Sequence, residues 1–239
     1  MDKIEYNNTI TPILDQMDTM SLHQIQDMSR EINNKKTKLF EKNRNPKYKG
    51  HKRRLTESQF YIFLNEEKEK KYRLIYKIMF YMGLRVSEIP TINLKRIIDN
   101  KTLIIENKKC KRRDILPISK IIKEELIEHI ENNKDKIKKR EGRIFYNEKT
   151  GEELSKDAIR NRIRKIAERL IFNRIYDKSK DNRRLNTISS HSFRRSFARR
   201  IYEISNHDIE LVRIALRIKS IEVAKIYIES EIEDLIGII

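Results

Sequence analysis

From Leu55 onward, apolar residues return at three- and four-residue intervals in one segment after another, which confines the chain to a fold made chiefly by packing helix against helix. Leu74, Ile75, Ile78, Met79 and Met82 form one such run, and it stops at Gly83, a residue suited to the left-handed turn that ends helices. Upstream, Thr56 and Gln59 make a capping-box pair that opens a helix. Helices are expected again over 119–134 and over 155–171, where Ser155 is the cap and Ile159, Ile163, Ile166 and Leu170 are the inner face. Three more are expected near 191–203, 207–217 and 220–229. The helical period breaks after Asn93, where short Ile- and Leu-rich segments at 94–97, 102–106 and 113–116 read as strands. The last two are joined by a turn of Asn107, Lys108, Lys109 and Cys110. A further strand is expected at 143–146 and a basic loop at 173–184. The class is therefore α+β, mainly helical, with a small antiparallel sheet that carries a basic hairpin.

With 239 residues there is material for one medium-sized domain and an appendage. Residues 1–54 read as a short helical N-terminal extension, with Leu22, Ile25, Met28 and Ile32 as a narrow apolar stripe, followed by a basic linker. Between Lys35 and Arg54 ten bases face a single acid, Glu41, and Pro46 and Gly50 interrupt any helix. The compact body is expected over 55–229. Residues 230–239 form an apolar and acidic tail, suited to docking on a neighbouring protomer or back on its own. Over the whole chain 54 Lys and Arg outnumber 36 Asp and Glu, a net charge of +18, and so large an excess calls for a polyanionic partner, nucleic acid first. Cys110 is the single cysteine, which excludes an internal disulfide and a cysteine-built zinc site. No stretch approaches the roughly 18 consecutive apolar residues of a membrane span, and an intracellular protein, in the cytoplasm or at the nucleoid, is expected.

Four separated segments require a joint explanation: GLRVSEI at 83–89, KKCKRRDILP at 108–117, HSFRRSFA at 191–198 and IKSIEVAKIYIE at 218–229. Their order and separations resemble the catalytic domain of tyrosine recombinases, the phage-type integrases, whose core is shared with type IB topoisomerases. The resemblance runs from about Leu55 to Tyr227. It implies a tyrosine-recombinase catalytic fold and assigns Arg85 and Arg194 to the scissile phosphate, with Glu88 orienting Arg85 or a neighbouring group. It assigns His191 to a phosphate hydrogen bond or to proton transfer, Lys109 to protonation of the leaving group, and Tyr227 to nucleophilic attack. Lys108 and Lys111 stand beside Lys109 as alternatives. Such chemistry has a physical rationale. Two planar guanidinium forks neutralise charge that grows on the phosphoryl oxygens, and a phosphotyrosyl ester conserves the bond for resealing. No metal or cofactor is implied.

The sequence departs from the family pattern in two places. Where the family commonly has Gly-His before the nucleophile helix, this chain has Arg217-Ile218, and isoleucine donates no hydrogen bond. Arg217 or Lys219 is a candidate substitute for the missing phosphate contact. The N-terminal extension is also shorter than the family's usual DNA-clamping domain. Further DNA contacts are expected from Lys47, Lys49, Lys52, Arg53 and Arg54 in the linker and from Arg160, Arg162 and Arg164 on the 155–171 helix. The resemblance implies double-stranded DNA as partner, a homo-tetramer on DNA with a monomer or dimer when free, and site-specific recombination through a covalent 3′-phosphotyrosyl intermediate, as in the integrase of a virus or mobile element. Relaxation of supercoils by a topoisomerase-like monomer, or DNA binding by a weakened relative, are the alternatives.

Overall fold

In the computed structural model the described residues are 53–107, 112–170, 173, 175–178 and 184–228, with Gln24 and Glu31 ahead of them. The chain divides into two units, Met1–Gly50 and His51–Ile239. In the first, Gln24 and Glu31 are helical and exposed; the apolar stripe at Leu22, Ile25, Met28 and Ile32 lies outside the described residues. The second unit is mainly helical. It runs α1 (Glu57–Asn65), α2 (Lys70–Met82), two single 3₁₀ turns (Ile89–Thr91 and Leu94–Arg96), β1 (Ile97–Ile98), β2 (Thr102–Asn107), β3 (Arg112–Pro117), α3 (Lys120–Asn132) and α4 (Lys134–Lys139). There follow α5 (Lys156–Ala167), β4 (Ile175–Lys178), β5 (Arg184–Asn186), α6 (Ser190–Ile204), α7 (Ile209–Ala215) and α8 (Ile221–Ile228). No described helix is long and apolar enough to cross a membrane.

Local chemistry sets the ends of these elements. Thr56 and Gln59 exchange both capping-box bonds at the start of α1, with Gln59 N donating to Thr56 Oγ1 at 3.2 Å and Thr56 N to Gln59 Oε1 at 3.1 Å. Gly83 ends α2 with φ at +63°, as its lack of a side chain permits. The four expected inner residues are buried, Ile159, Ile163 and Ile166 on α5 and Leu170 three residues beyond its end. Strands β1, β2 and β3 form an antiparallel sheet in that order. Leu103, Ile105 and Leu116 face the core while Ile115 stands 70% exposed, the two-residue alternation of a sheet covered on one side.

Three expectations require correction. Residues 94–96 form a 3₁₀ turn rather than a strand, because the Asn93 side chain accepts from Lys95 N at 2.9 Å and bends the backbone there. Residues 143–146 make isolated bridges, Asn93 to Arg143 and Tyr146 to Glu153, and no strand. The segment 173–184, expected as a loop, carries strand β4 and meets β5 in an antiparallel pair; its basic composition masked the Ile175-Tyr176 start of a strand.

An aromatic cluster locks α6 to the first two helices. Phe193, on α6, is fully buried, with its ring centroid 5.2 Å from Phe63, 5.9 Å from Tyr76 and 6.1 Å from Phe60. Phe60 stacks on Phe80 at 3.9 Å. Burying each such ring contributes about 1.5–3 kcal/mol, and the cluster fixes the helix on which the next residue is Arg194. Ser196 adds a polar clip, accepting from Leu55 N at 2.8 Å and donating to the Leu55 carbonyl at 2.8 Å. A second, smaller apolar cluster of Phe197, Ala198, Val212, Leu216 and Ala224 joins α6, α7 and α8.

Candidate active site

The turn after α2 is organised by a carboxylate. Glu88 is 5% exposed, and its Oε2 accepts from the Arg85 main-chain N at 2.7 Å while Oε1 accepts from Arg85 Nη1 at 2.9 Å. Glu88 therefore caps the turn and holds the arginine with the same group. Oε2 also accepts from Arg217 Nη2 at 2.8 Å, across 129 residues of sequence. Burial pushes the Glu88 carboxyl up, but Arg217, the Arg85 N–H, the Arg85 guanidinium and Arg194 together hold it below the ordinary carboxylate value. It is an anion in the folded protein. The Arg85 side chain remains one-third exposed (33%), so its guanidinium is accessible as well as aimed.

Arg194 is 1% exposed. Its Nη1 donates to the Gly83 carbonyl and its Nη2 to the Leu216 carbonyl, so the guanidinium ties the C-terminal end of α2 to that of α7. Helix C-termini carry partial negative charge, which suits a cation. Gly83 is required for this approach: a β-carbon there would meet Phe197 Cδ1 at 2.2 Å, and Phe197 lies three residues after Arg194 on α6. Burial lowers the Arg194 pKa to about 10, Arg85 and Arg217 add to that, and Tyr227 and Glu88 oppose it. Because a guanidinium keeps its proton at neutral pH, the shift expresses first the cost of burying a positive charge and then the crowding of the neighbouring arginines. A bound anion would relieve it.

Tyr227 sits on α8, half-buried against the second apolar cluster. Its ring centroid lies 5.6 Å from the Arg194 guanidinium carbon, within cation–π range. His191 is in the first turn of α6, one helical turn before Arg194, and is exposed. The start of that helix is capped by Ser192, whose Oγ accepts from Ser189 N at 3.0 Å. The fold thus gathers Arg85, Glu88, Arg194, Arg217 and Tyr227 from three distant segments. Lys109 and its alternatives Lys108 and Lys111 lie outside the described residues, between the paired ends Asn107 and Arg112 of β2 and β3.

Arg217 differs from its expected part. It does not stand beside the site ready to swing in; its side chain is 4% exposed and engaged with Glu88, on a backbone with φ at +54°. Ile218 packs against the second apolar cluster, and Lys219 is exposed. Arg162 also departs from expectation. Its Nε and Nη2 make a fork on Glu67 at 2.6 and 2.7 Å, Nη2 reaches Glu69 at 2.8 Å, and the guanidinium carbon lies 4.1 Å from the Tyr72 ring centroid. Such an arginine serves the fold, because the 3%-exposed Glu67 needs its charge matched. Arg160 is exposed and bonds Asp157 at 3.0 Å; Arg164 is half-buried. Arg53 and Arg54 are partly exposed, and Lys47, Lys49 and Lys52 lie outside the described residues. Reading the sequence missed the Glu88–Arg217 and Glu67–Arg162 pairs. A usable signal existed for the first: a Glu three residues after an Arg, and an Arg at a position where glycine is the ordinary residue.

Comparison with known proteins bears on the fold. The family model described as "Phage integrase family" matches residues 53–233. No curated protein matches the chain. Among solved structures, XerA recombinase is similar at 14% identity and a TM-score of 0.61, over 77% of this chain and 63% of that one. The XerH site-specific recombinase bound to palindromic difH substrate, a post-cleavage complex, is similar at 21% identity and a TM-score of 0.59, over 77% and 51%. A lambda integrase tetramer bound to a Holliday junction is similar at 18% identity and a TM-score of 0.55, over 75% and 50%. The chain thus spans about half to two-thirds of the length of these structures, and the likeness is one of fold.

Proposed function

Because the chain belongs to the phage integrase family, we propose that it is a site-specific DNA recombinase whose nucleophile is Tyr227. The observation that carries the proposal is the convergence of two arginines and this tyrosine on one carboxylate-braced site, with Arg194 buried beneath the Tyr227 ring. In the reaction, the Tyr227 phenol oxygen attacks the scissile phosphorus. A phosphotyrosyl bond to the DNA 3′ side forms as the bond to the 5′ oxygen breaks. Arg85 and Arg194 stabilise the charge that builds on the non-bridging oxygens. His191 takes the tyrosine proton or hydrogen-bonds the phosphate, and Lys109, in the connection between β2 and β3, protonates the leaving 5′ oxygen to give the 5′-hydroxyl. Attack by a 5′-hydroxyl from a second strand reverses these transfers and reseals the DNA.

The XerH and lambda integrase structures hold DNA, the latter as a tetramer on a Holliday junction. We carry both features to this chain, with double-stranded DNA as partner and a homo-tetramer as the working assembly. Arg53, Arg54 and Arg160, with Lys47, Lys49 and Lys52, supply contacts to the phosphate backbone.

The test uses duplexes that the protein itself selects from a random pool, nicked so that the cleaved fragment diffuses away. A protein–DNA adduct that survives denaturant is expected, and none from Tyr227→Phe. An adduct that persists in Tyr227→Phe would move the nucleophile elsewhere. Equal relaxation of every plasmid by a monomer would replace recombination with topoisomerase activity.

A further inference from the structure

Arg217 has no part in the reaction just described, yet it is an unusual residue. Its side chain is 4% exposed, it occupies a left-handed backbone position at φ +54°, and glycine alone takes that conformation without strain. Its Nη2 reaches Glu88, while Nε and Nη1 are buried without a hydrogen-bond partner. Arg194 Nε is likewise buried and unpartnered. A guanidinium kept inside a protein at the cost of both backbone strain and orphaned donors requires a compensating role.

Charge supplies one. Without Arg217, the Glu88 anion would cancel one of the two arginines that face the phosphate. With it, three guanidinium groups surround one carboxylate, and two positive charges remain uncompensated. We infer that Arg217 is a positioning residue for the scissile phosphate: it takes the charge of Glu88 onto itself, so that Arg85 and Arg194 both stay electrostatically available to the substrate. The side chain acts through Glu88, being too enclosed to reach DNA. The device suits a site where Ile218 offers no donor of its own, and it rests on the recombinase reading above.

The experiment measures single-turnover adduct formation at saturating protein for wild type, Arg217→Gly and Arg217→Lys. Two nicked substrates are compared, one with an ordinary scissile phosphodiester and one with a neutral methylphosphonate at that position. Glycine suits the backbone at 217, so loss of the side chain is isolated from strain. On the phosphodiester, Arg217→Gly is expected to react roughly 10- to 100-fold more slowly than wild type, the order found when outer-shell partners of a reaction centre are removed, and Arg217→Lys to recover most of that loss. On the methylphosphonate, which carries no charge to neutralise, the gap between wild type and Arg217→Gly is expected to close to within about 3-fold. An equal deficit on both substrates would show a merely structural part for Arg217 and overturn the inference, as would a lysine variant as slow as the glycine one. Wild type that forms no adduct with either substrate would overturn the recombinase reading, and this inference with it.

Discussion

Glu88 is the residue on which the charged groups of the site depend. It accepts from Arg85 twice and from Arg217 once, so replacing it leaves two cations facing each other in a buried place. Glu88→Gln keeps the shape and removes the charge. We expect the protein to lose about 3 kcal/mol of stability at pH 7, the order found when one partner of a buried pair is removed. The pH dependence follows from the direction of the shift. The carboxyl titrates below its ordinary value of 4.5 in the folded protein, so the stability it contributes is complete above 4.5 and is lost as pH falls through the lowered value. Urea midpoints for wild type and Glu88→Gln should therefore stay a constant distance apart from pH 7 to about 5 and converge under stronger acid. A gap of the same size at pH 3 would mean that geometry, and not charge, is what Glu88 provides.

At the scale of elements, the junction of α2 and α6 governs the site. Gly83→Ala places a β-carbon 2.2 Å from the Phe197 ring in a left-handed backbone. Left-handed strain together with overpacking should cost about 3 kcal/mol and displace the carbonyl that Arg194 uses. Because Phe197 is the obstacle, Gly83→Ala combined with Phe197→Leu should be less destabilised than the two single changes summed; strict additivity in thermal unfolding would refute the clash. This junction was half legible in the sequence. Gly83 as a helix end, the Thr56 and Gln59 cap and the inner face of α5 depend on neighbours in sequence, and the structure has them all. The order of the four motifs likewise placed Arg85, Arg194 and Tyr227 in one site. What could not be read depends on partners far along the chain: Glu88 with Arg217, and Glu67 with Arg162, 95 residues apart. A basic helix looks the same whether an arginine faces DNA or a buried glutamate. Arg162→Met tests that distinction. It should lower stability by about 3 kcal/mol while the salt dependence of DNA binding stays unchanged; a shallower salt slope at undiminished stability would return Arg162 to the DNA.

For the whole molecule the governing quantity is the net charge of +18 and how it is shared between the two units. A base that sits on a phosphate releases a condensed counterion, and each such contact adds about 0.9 to the slope of log affinity against log salt. Charges that merely solvate the surface add nothing to that slope, so a salt series separates contact from composition. A deletion in the linker has to spare the bonds made by the first described residues of the second unit. Arg53 N donates to the Thr187 carbonyl at 3.1 Å and Leu55 N to Ser196 Oγ at 2.8 Å, and these bonds hold the approach to α6 and its middle turn. A deletion reaching Arg54 would therefore confuse lost phosphate contacts with a loosened active site. Removing Lys35 to Gly50 takes away seven bases and one acid and leaves those bonds intact. On a non-specific duplex between about 50 and 200 mM NaCl, the deletion should flatten the slope by roughly 3 to 6 units. The remaining affinity should come from the second unit, and at low salt the adduct proposed at Tyr227 should still form, since Arg85 and Arg194, the proposed ligands of the scissile phosphate, lie beyond the cut. An unchanged slope would mean that the linker touches no phosphate, and that the basic excess acts on DNA through the catalytic unit alone.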